Sequence, residues 1–393
     1  MSQQQLYKQR NSNIQNWRQI SDFSRIRLTS VIQNTAVNTK QIDHNSTNGN
    51  ITVSTSSIKP IEQSSGLRHG LMLAPNMSEP GSNMNSLTTT DKPFVNFLTV
   101  QGIGKSNLSL CPETPPDLVG EINTTMNMTP WKLLDKELSY LGPGGYWKPE
   151  NCTSRSRIAI IVPFRDRDSH LNIFLRNMHP FLQKQQLDYS IFVVEQIANQ
   201  TFNRAKLMNI GYVEAASRHS IDCAIFSDVD FIPVNDKNLY RCPDENAARH
   251  MAVSVDRWNY TLAYDSFFGG ISALTNTQFQ KMNGFSNDYW GWGGEDDDAY
   301  NRVKAAGYSI FRYPPNIARY VSIKHIREKM NSDNPCRFNL INKAQHRYKF
   351  DGLSNLKYKT VERSLKTTYS WIKVDLLERE ERKRLVEENI CTN

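Results

Sequence analysis

The nine residues "WGWGGEDDD", Trp290 to Asp298, bring together two tryptophans, three glycines and four acids. Gly291, Gly293 and Gly294 permit backbone conformations closed to other residues and let a ligand approach closely. Trp290 and Trp292 offer flat faces of the kind on which sugars stack. Crowding Glu295, Asp296, Asp297 and Asp298 raises carboxylate pKa values by like-charge repulsion, which leaves one of them able to take a proton from a hydroxyl. A structural reading stands beside this one: core tryptophans, turn glycines and the acidic first turn of a helix running on through "AYNRVKAAG". A helix start is compatible with both, because it would put the acids at a pocket mouth.

Upstream, "SDVD" (Ser227 to Asp230) places Asp228 and Asp230 two residues apart at the end of an apolar run. Hard oxygen ligands at that spacing suit Mg²⁺ or Mn²⁺ held against a diphosphate, and a turn or helix cap is the alternative use of the same residues. "VPFRDR" (Val162 to Arg167) and "FNRAK" (Phe202 to Lys206) supply Arg165, Arg167 and Arg204. Together they suit phosphates or a base; singly each reads as a surface arginine. His325, in "IKHIREK", taken alone reads as a surface or satisfied histidine.

Three short β-rich runs must position these groups: "RIAIIVPF" (157 to 164), "YSIFVVEQ" (189 to 196) and "CAIFSDVDFIPV" (223 to 234). Between the first two, Leu171, Phe174, Leu175, Met178 and Leu182 recur at helical spacing, and "FNRAKLMNIGYVEAASR" reads as a second helix. The order βαβαβ predicts a parallel sheet with right-handed crossovers, whose ligands bind beyond the carboxyl ends of the strands. The Asp-x-Asp pair and the arginines fall at those ends.

Of the 393 residues, 38% are hydrophobic, and the mean hydropathy of -0.58 is low for a wholly compact enzyme. The excess polarity lies in 1–109, rich in Ser, Thr, Asn and Gln and without apolar periodicity, which reads as a disordered stem or linker. The net charge of +8 comes from scattered residues, not from a basic stripe interleaved with aromatics, which argues against a nucleic-acid partner. "REERKRL" near the C-terminus is balanced by Glu and reads as a solvated helix face. Six cysteines without a Cys-x-x-Cys pair favour disulfides over zinc. Asn-x-Ser/Thr sequons at Asn45, Asn50, Asn76, Asn107, Asn123, Asn127, Asn151, Asn199 and Asn259 point to the secretory pathway. Against that reading, the chain contains neither a signal-peptide core nor a run of about 20 apolar residues.

In order and spacing, "VPFRDR", "FNRAK", "FSDVDFIP", "FFGGISALT", "NGFSNDYWGWGGEDDDAYNR" and "KHIREK" resemble the β-1,4-galactosyltransferase family (glycosyltransferase family 7), which includes invertebrate β-1,4-N-acetylgalactosaminyltransferases. The resemblance spans roughly Cys111 to Leu376. It implies a GT-A fold, a Rossmann-like mixed sheet flanked by helices, over 110–376, preceded by the stem and followed by a charged tail, 377–393. It also implies a UDP-sugar donor, Mn²⁺, an acceptor ending in N-acetylglucosamine, inversion to a β-1,4 linkage, and residence in the Golgi lumen as a type II membrane protein.

Carried over by position, Asp230 and His325 are metal ligands, the latter on a loop that closes over the donor. Pro163, Phe164, Arg165, Arg167, Phe202, Arg204, Asp228, Val229 and Arg257 fall on UDP-contacting positions, and Trp292 on the tryptophan that moves when donor binds. Asp296 matches the base for the acceptor 4-hydroxyl, with Glu295 and Asp297 at sugar-contacting positions. Arg337, Phe338 and Ile341 match the pocket for the acceptor's N-acetyl group. Cys111 with Cys152, and Cys223 with Cys242, match the family's disulfides; Cys336 and Cys391 lie outside the pattern.

Three departures stand out. Ser322 replaces the family's methionine ligand, a hydroxyl for a thioether, which admits Mg²⁺ beside Mn²⁺. Phe267 occupies the donor-selecting position, where galactosyl enzymes carry Tyr and N-acetylgalactosaminyl enzymes Ile or Leu. The family's membrane anchor has no counterpart in this sequence, which reads as an incomplete or unusual N-terminus rather than a cytosolic enzyme. The resemblance therefore predicts transfer of galactose from UDP-galactose, on the strength of the aromatic bulk at Phe267. UDP-N-acetylgalactosamine as donor and a catalytically impaired carbohydrate-binding homologue are the alternatives.

Overall fold

The computed structural model describes residues 108–326 and 328–391; the proposed stem lies outside them but for its last two residues, as do the sequons at Asn45, Asn50, Asn76 and Asn107. After a short helix α1 (Trp131–Glu137), the chain runs β1 (Arg157–Phe164), α2 (Asp168–Lys184), β2 (Asp188–Gln196), α3 (Arg204–Arg218) and β3 (Cys223–Ser227). The pairs β1–β2 and β1–β3 are parallel, as the βαβαβ reading requires.

The third apolar run does not stay in one sheet. At Asp228–Asp230 the chain leaves the main sheet, and Phe231–Pro233 becomes β4 of a separate three-stranded sheet with β6 (Ser254–Val255) and β9 (Arg319–Ser322). Four further strands extend the main sheet on both sides: β5 (Ala247–His250), β7 (Ile271–Thr275), β8 (Ser309–Phe311) and β11 (Ser370–Asp375), with β10 (Lys359–Leu365) at the edge. The order is β10-β11-β2-β1-β3-β7-β5-β8, with β3–β7 and β5–β7 antiparallel, so the sheet is mixed.

Strand alternation divides the core between the two faces of the sheet. Ile158, Ile160, Val162 and Phe164 face α2, meeting Phe174, Met178 and Leu182; Ala159 and Ile161 face α3, meeting Leu207 and Ile210. Each such fully buried aliphatic side chain contributes roughly 1.5–3 kcal/mol. The α3 face packs closely because Gly211 lacks a side chain: a Cβ there would stand 2.4 Å from Ile161 Cγ2. Asn203 caps α3 by accepting from the Lys206 backbone N–H.

Beyond β7 come α4 (Asn276–Lys281), α5 (Glu295–Ala305), α6 (Arg337–Asn342), α7 (Ala344–Arg347) and α8 (Glu378–Glu387). The charged segment after Leu376 thus continues as a helix that buries Leu385 against the domain. Disulfides join Cys111 to Cys152, Cys223 to Cys242, and Cys336 to Cys391, the last tying α6 to the chain end. The sequons at Asn123, Asn127, Asn151, Asn199 and Asn259 are all exposed. Among the described residues no helix is long and apolar enough to cross a membrane.

Beneath the acidic helix start lies an ionic cluster. Arg302 and Asp298 are fully buried and paired along α5, Arg302 Nη2 also donates to Asp351 at 2.8 Å, and Asp351 accepts from Arg347 at 2.8 Å. Arg347 and Arg384 converge on Asp288, and Tyr289 donates to Asp298 at 2.9 Å. Removing one partner strands buried charge on the others. Arg302→Met is therefore expected to lower unfolding stability by about 3–5 kcal/mol in urea titration.

Candidate active site

A cavity of about 540 Å³ opens beyond the carboxyl ends of β1 and β3, bounded by the start of α3, the turn after β3, the "FGG" turn and the start of α5. Fifteen of the residues singled out from the sequence line it: Pro163, Arg165, Arg167, Phe202, Arg204, Asp228, Val229, Asp230, Arg257, Phe267, Gly291, Trp292, Glu295, Asp296 and His325. Residues scattered over more than 160 positions converge here because parallel strands end on one side of the sheet.

Arg204, the first residue of α3, bridges two walls. Its Nε donates to Asp228 Oδ1 at 2.6 Å, Nη1 stands 3.6 Å from Glu295 Oε1, and Nη2 donates to the Gly270 carbonyl at 3.3 Å. Burial raises the pKa of Asp228 and of Glu295, and Arg204 opposes the shift in both. Arg165 is buried against the Phe202 ring, donates to the Gln200 carbonyl and pairs with Glu328. Arg167 donates to the Ile326 carbonyl at 2.9 Å and lies 3.3 Å from His325 Nδ1.

Committed to Arg204, Asp228 does not join Asp230 as a twin ligand. Asp230 instead meets His325: Nε2 lies 3.1 Å from Asp230 Oδ2, which also accepts from Arg257 Nη2. Burial pushes the Asp230 pKa up, but these two donors outweigh it and hold the carboxyl below its usual range. The same hydrogen bond raises the His325 pKa against burial. A carboxylate oxygen and an imidazole nitrogen side by side on the cavity wall form a donor pair that would fit Mn²⁺ or Mg²⁺. Among the described residues no cluster of three or more His, Cys, Asp or Glu could hold a metal.

Ser322, at the methionine position, is no third ligand: its hydroxyl and its backbone N–H both donate to Asp256 Oδ1, at 2.6 and 2.8 Å, and it does not line the cavity. Phe164 also departs from its expected place. Alternation along β1 turns Pro163 to the cavity and the Phe164 ring into the core on the α2 face.

The glycine-rich stretch divides its two tryptophans between the readings. Trp290 is buried in the core with the Lys206 ammonium over its ring, whereas Trp292 is 52% exposed and faces the cavity. Gly291, Gly293 and Gly294 have φ of 92°, 103° and 94°, values that favour glycine. At Gly291 a Cβ would also stand 2.4 Å from the Ser332 carbonyl oxygen. Gly294 lies just ahead of α5, so the acids occupy the helix's first turn.

The four carboxylates have separate fates. Asp298 is sequestered below by Arg302, Asp297 accepts from Tyr264 Oη at 2.9 Å, and Glu295 faces Arg204. Asp296, half-buried on the cavity wall, has its pKa pushed up to about 7 by burial, with the charges of Glu295 and Asp297 adding to the shift. Its Oδ2 would stand 2.5 Å from a Cβ on Gly269.

Arg337, Phe338 and Ile341, on α6, do not line the cavity; Arg337 and Ile341 pack beside the same glycines. A Cβ on Gly294 would stand 3.0 Å from Ile341 Cδ1, and the 64% exposed Phe338 ring lies beneath the Arg337 guanidinium. Sequence reasoning missed Phe231, Trp258, Gly269, Gly270, Glu328 and Asn331 as lining residues. Phe231 and Trp258 directly follow Asp230 and Arg257, the glycines follow Phe267, and Glu328 falls within "KHIREK", so adjacency was the available signal; Asn331 carried none.

Two family models match the chain, described as the N-terminal region of glycosyl transferase group 7 over residues 111–243 and the N-terminal domain of galactosyltransferase over residues 249–326. Human (Homo sapiens) beta-1,4-galactosyltransferase 3 is 45% identical over 271 residues, covering 68% of each chain. Mouse (Mus musculus) beta-1,4-galactosyltransferase 2 is 44% identical over 269 residues, 68% of this chain and 72% of its own. The crystal structure of the catalytic domain of Drosophila beta1,4galactosyltransferase 7 in complex with xylobiose aligns with a TM-score of 0.49 and 34% identity, over 56% of this chain and 94% of that one.

A methyl group at Gly269 would meet both the Asp296 carboxylate and Phe267 Cε2, the latter at 2.7 Å. The Phe267 ring is wedged among three other rings, so Asp296 must yield. Gly269→Ala is expected to fold normally by thermal melt yet to displace the Asp296 carboxylate from its place on the cavity wall, which a crystal structure of the variant would show.

Proposed function

The chain belongs to the β-1,4-galactosyltransferase family, and on that premise we propose that it is an inverting glycosyltransferase moving galactose from UDP-galactose to the 4-hydroxyl of a terminal N-acetylglucosamine. The observation that carries the reading is the convergence, in one cavity, of the arginines, the Asp230–His325 pair and a carboxylate whose pKa lies at about 7.

In the proposed reaction Asp296, ionised, accepts a hydrogen bond from the acceptor 4-hydroxyl and takes its proton as the oxygen attacks the donor's anomeric carbon. The bond from that carbon to the UDP oxygen breaks as the new C–O bond forms on the opposite face. One displacement turns α into β, and no nucleophilic side chain is needed. Arg165, Arg167, Arg204 and Arg257 would line the UDP site, and Trp292 would cover the sugar. Asp230 and His325 would hold Mn²⁺, with Mg²⁺ as the alternative once Ser322 is spent on Asp256; the ion supplies charge stabilisation of the departing diphosphate. Arg337, Phe338 and Ile341, beside the sugar loop, would receive the acceptor's N-acetyl group.

Galactose is favoured over N-acetylgalactosamine because Phe267 keeps aromatic bulk at the cavity wall, its ring packed edge-on against His250 and Trp258. Three disulfides require an oxidising compartment, which supports a Golgi-luminal enzyme. Residues 110–376, with α8 packed onto them, would form the catalytic domain, and 1–109 the stem.

The test is transfer to a single N-acetylglucosamine acceptor from UDP-galactose and from UDP-N-acetylgalactosamine. Faster turnover with UDP-galactose and a β-1,4 product are expected; acceptor binding without turnover would sink the reading in favour of a carbohydrate-binding protein. Asp296→Asn is expected to cost roughly 100- to 10,000-fold in kcat. Because the base must be ionised, and its pKa is raised to about 7, kcat/KM should hold above that pH and fall about tenfold per unit below it. A profile flat to pH 5 would remove Asp296 from the role. Chelation of divalent cations is expected to abolish turnover, and added Mn²⁺ to restore it.

A further inference from the structure

Behind the cavity wall stand two residues that do not line it. His250, the last residue of β5, is fully buried, and Arg312 follows β8. The Arg312 Nε–H donates to His250 Nδ1 at 3.0 Å, which leaves the imidazole proton on Nε2, where it reaches the Gly269 carbonyl at 3.0 Å. Burial, with the Arg312 charge adding to it, lowers the His250 pKa to about 3, so the ring is neutral. Arg312 Nη2 donates to the carbonyls of Asp265 and Phe267, each at 2.8 Å. Three alternate carbonyls of the turn 265–269 are thus held by one histidine and one arginine that are themselves joined.

What the turn carries is the side of the cavity nearest Asp296. The Phe267 ring is met edge-on by His250 and Trp258, both at 5.1 Å between centroids, and by Tyr264 at 5.3 Å. Its free edge, the Gly269 backbone and Asp296 Oδ2 come together: a single added Cβ at Gly269 would stand 2.5 Å from the carboxylate and 2.7 Å from the ring. Any sugar delivering its anomeric carbon to a hydroxyl held by Asp296 must pass this edge, and the substituent beside that carbon, hydroxyl or acetamido, is the bulk the edge admits or refuses.

We propose that His250 and Arg312 are positioning residues that set the Phe267–Gly269 wall and through it the donor sugar the cavity accepts. The proposal rests on the UDP-sugar reading of the cavity. Neither residue reaches the ligand, so their effect runs through the turn. Losing Nε2–H leaves the Gly269 carbonyl with the Ile271 N–H alone and frees one side of the Phe267 ring, and a shift of that edge alters the fit of the sugar while leaving the arginines of the UDP site in place.

The experiment measures kcat/KM for UDP-galactose and UDP-N-acetylgalactosamine on one acceptor, inhibition by UDP, and the crystal structure, for the wild type, His250→Leu and Arg312→Met. His250→Gln, which can donate to Gly269 while accepting from Arg312, and Arg312→Lys are the conservative variants. Expected are a change of about fivefold or more in the donor ratio for the disruptive pair, UDP inhibition within about twofold, and recovery of the ratio in His250→Gln. A displaced Phe267 ring in the His250→Leu crystal structure supports the positioning role whether or not turnover is seen. Parallel loss with both donors alongside a lowered melting temperature, or an unmoved Phe267–Gly269 wall in the crystal, overturns it. A wild type that binds UDP but transfers neither sugar would instead remove the transferase reading, with the crystal structure still deciding the position of the wall.

Discussion

The site depends on Arg204. Placed at the first turn of α3 by the Asn203 cap, it binds Asp228 after β3, Glu295 at the head of α5 and the Gly270 carbonyl. These groups come from three separate stretches of chain, and two of the three are carboxylates that burial would otherwise drive toward the neutral form. One fixed guanidinium keeps them close without unpaired repulsion. It also leaves Asp230 to His325 and Asp296 to the cavity, so the division of labour among the acids follows from where this one cation stands.

A second electrostatic layer lies beneath the first. Asp298 is turned inward and joined to Arg302, which continues through Asp351 and Arg347 to Asp288 and to Arg384 on the C-terminal helix. Buried networks of this kind contribute little net stability against apolar packing but are costly to break. Here the network anchors the first turn of α5 from below while Arg204 draws it from above. Asp296 lies between these layers, where burial, with the charges of Glu295 and Asp297 adding to it, raises its pKa and the Arg204 charge offsets the shift only in part.

The glycines serve this arrangement through space more than flexibility. Gly269 lets the "FGG" turn lie against Asp296, Gly291 lets the tryptophan loop reach the Ser332 carbonyl, and Gly211 brings α3, and with it Arg204, close to β1. Each marks a contact closer than a side chain allows.

Local pattern made β1, α2, β2 and α3 legible, because alternation and helical spacing are properties of adjacent residues. The carboxyl-end position of the Asp-x-Asp pair and the arginines followed from strand order alone. Composition and spacing could not separate Trp290 from Trp292, or Asp296 from Asp298, which only the family resemblance told apart, since burial of one and exposure of the other depend on what packs against the loop: Lys206 for Trp290, Arg302 for Asp298. Nor could they show that Asp228 would leave Asp230 for Arg204, that Ser322 would turn to Asp256, or that Cys336 would meet Cys391 across 55 residues. Residue type and spacing determine which chemistry is available; which atom faces the cavity is decided by long-range partners, because a side chain points wherever its charge and volume are best satisfied by groups the local sequence does not contain.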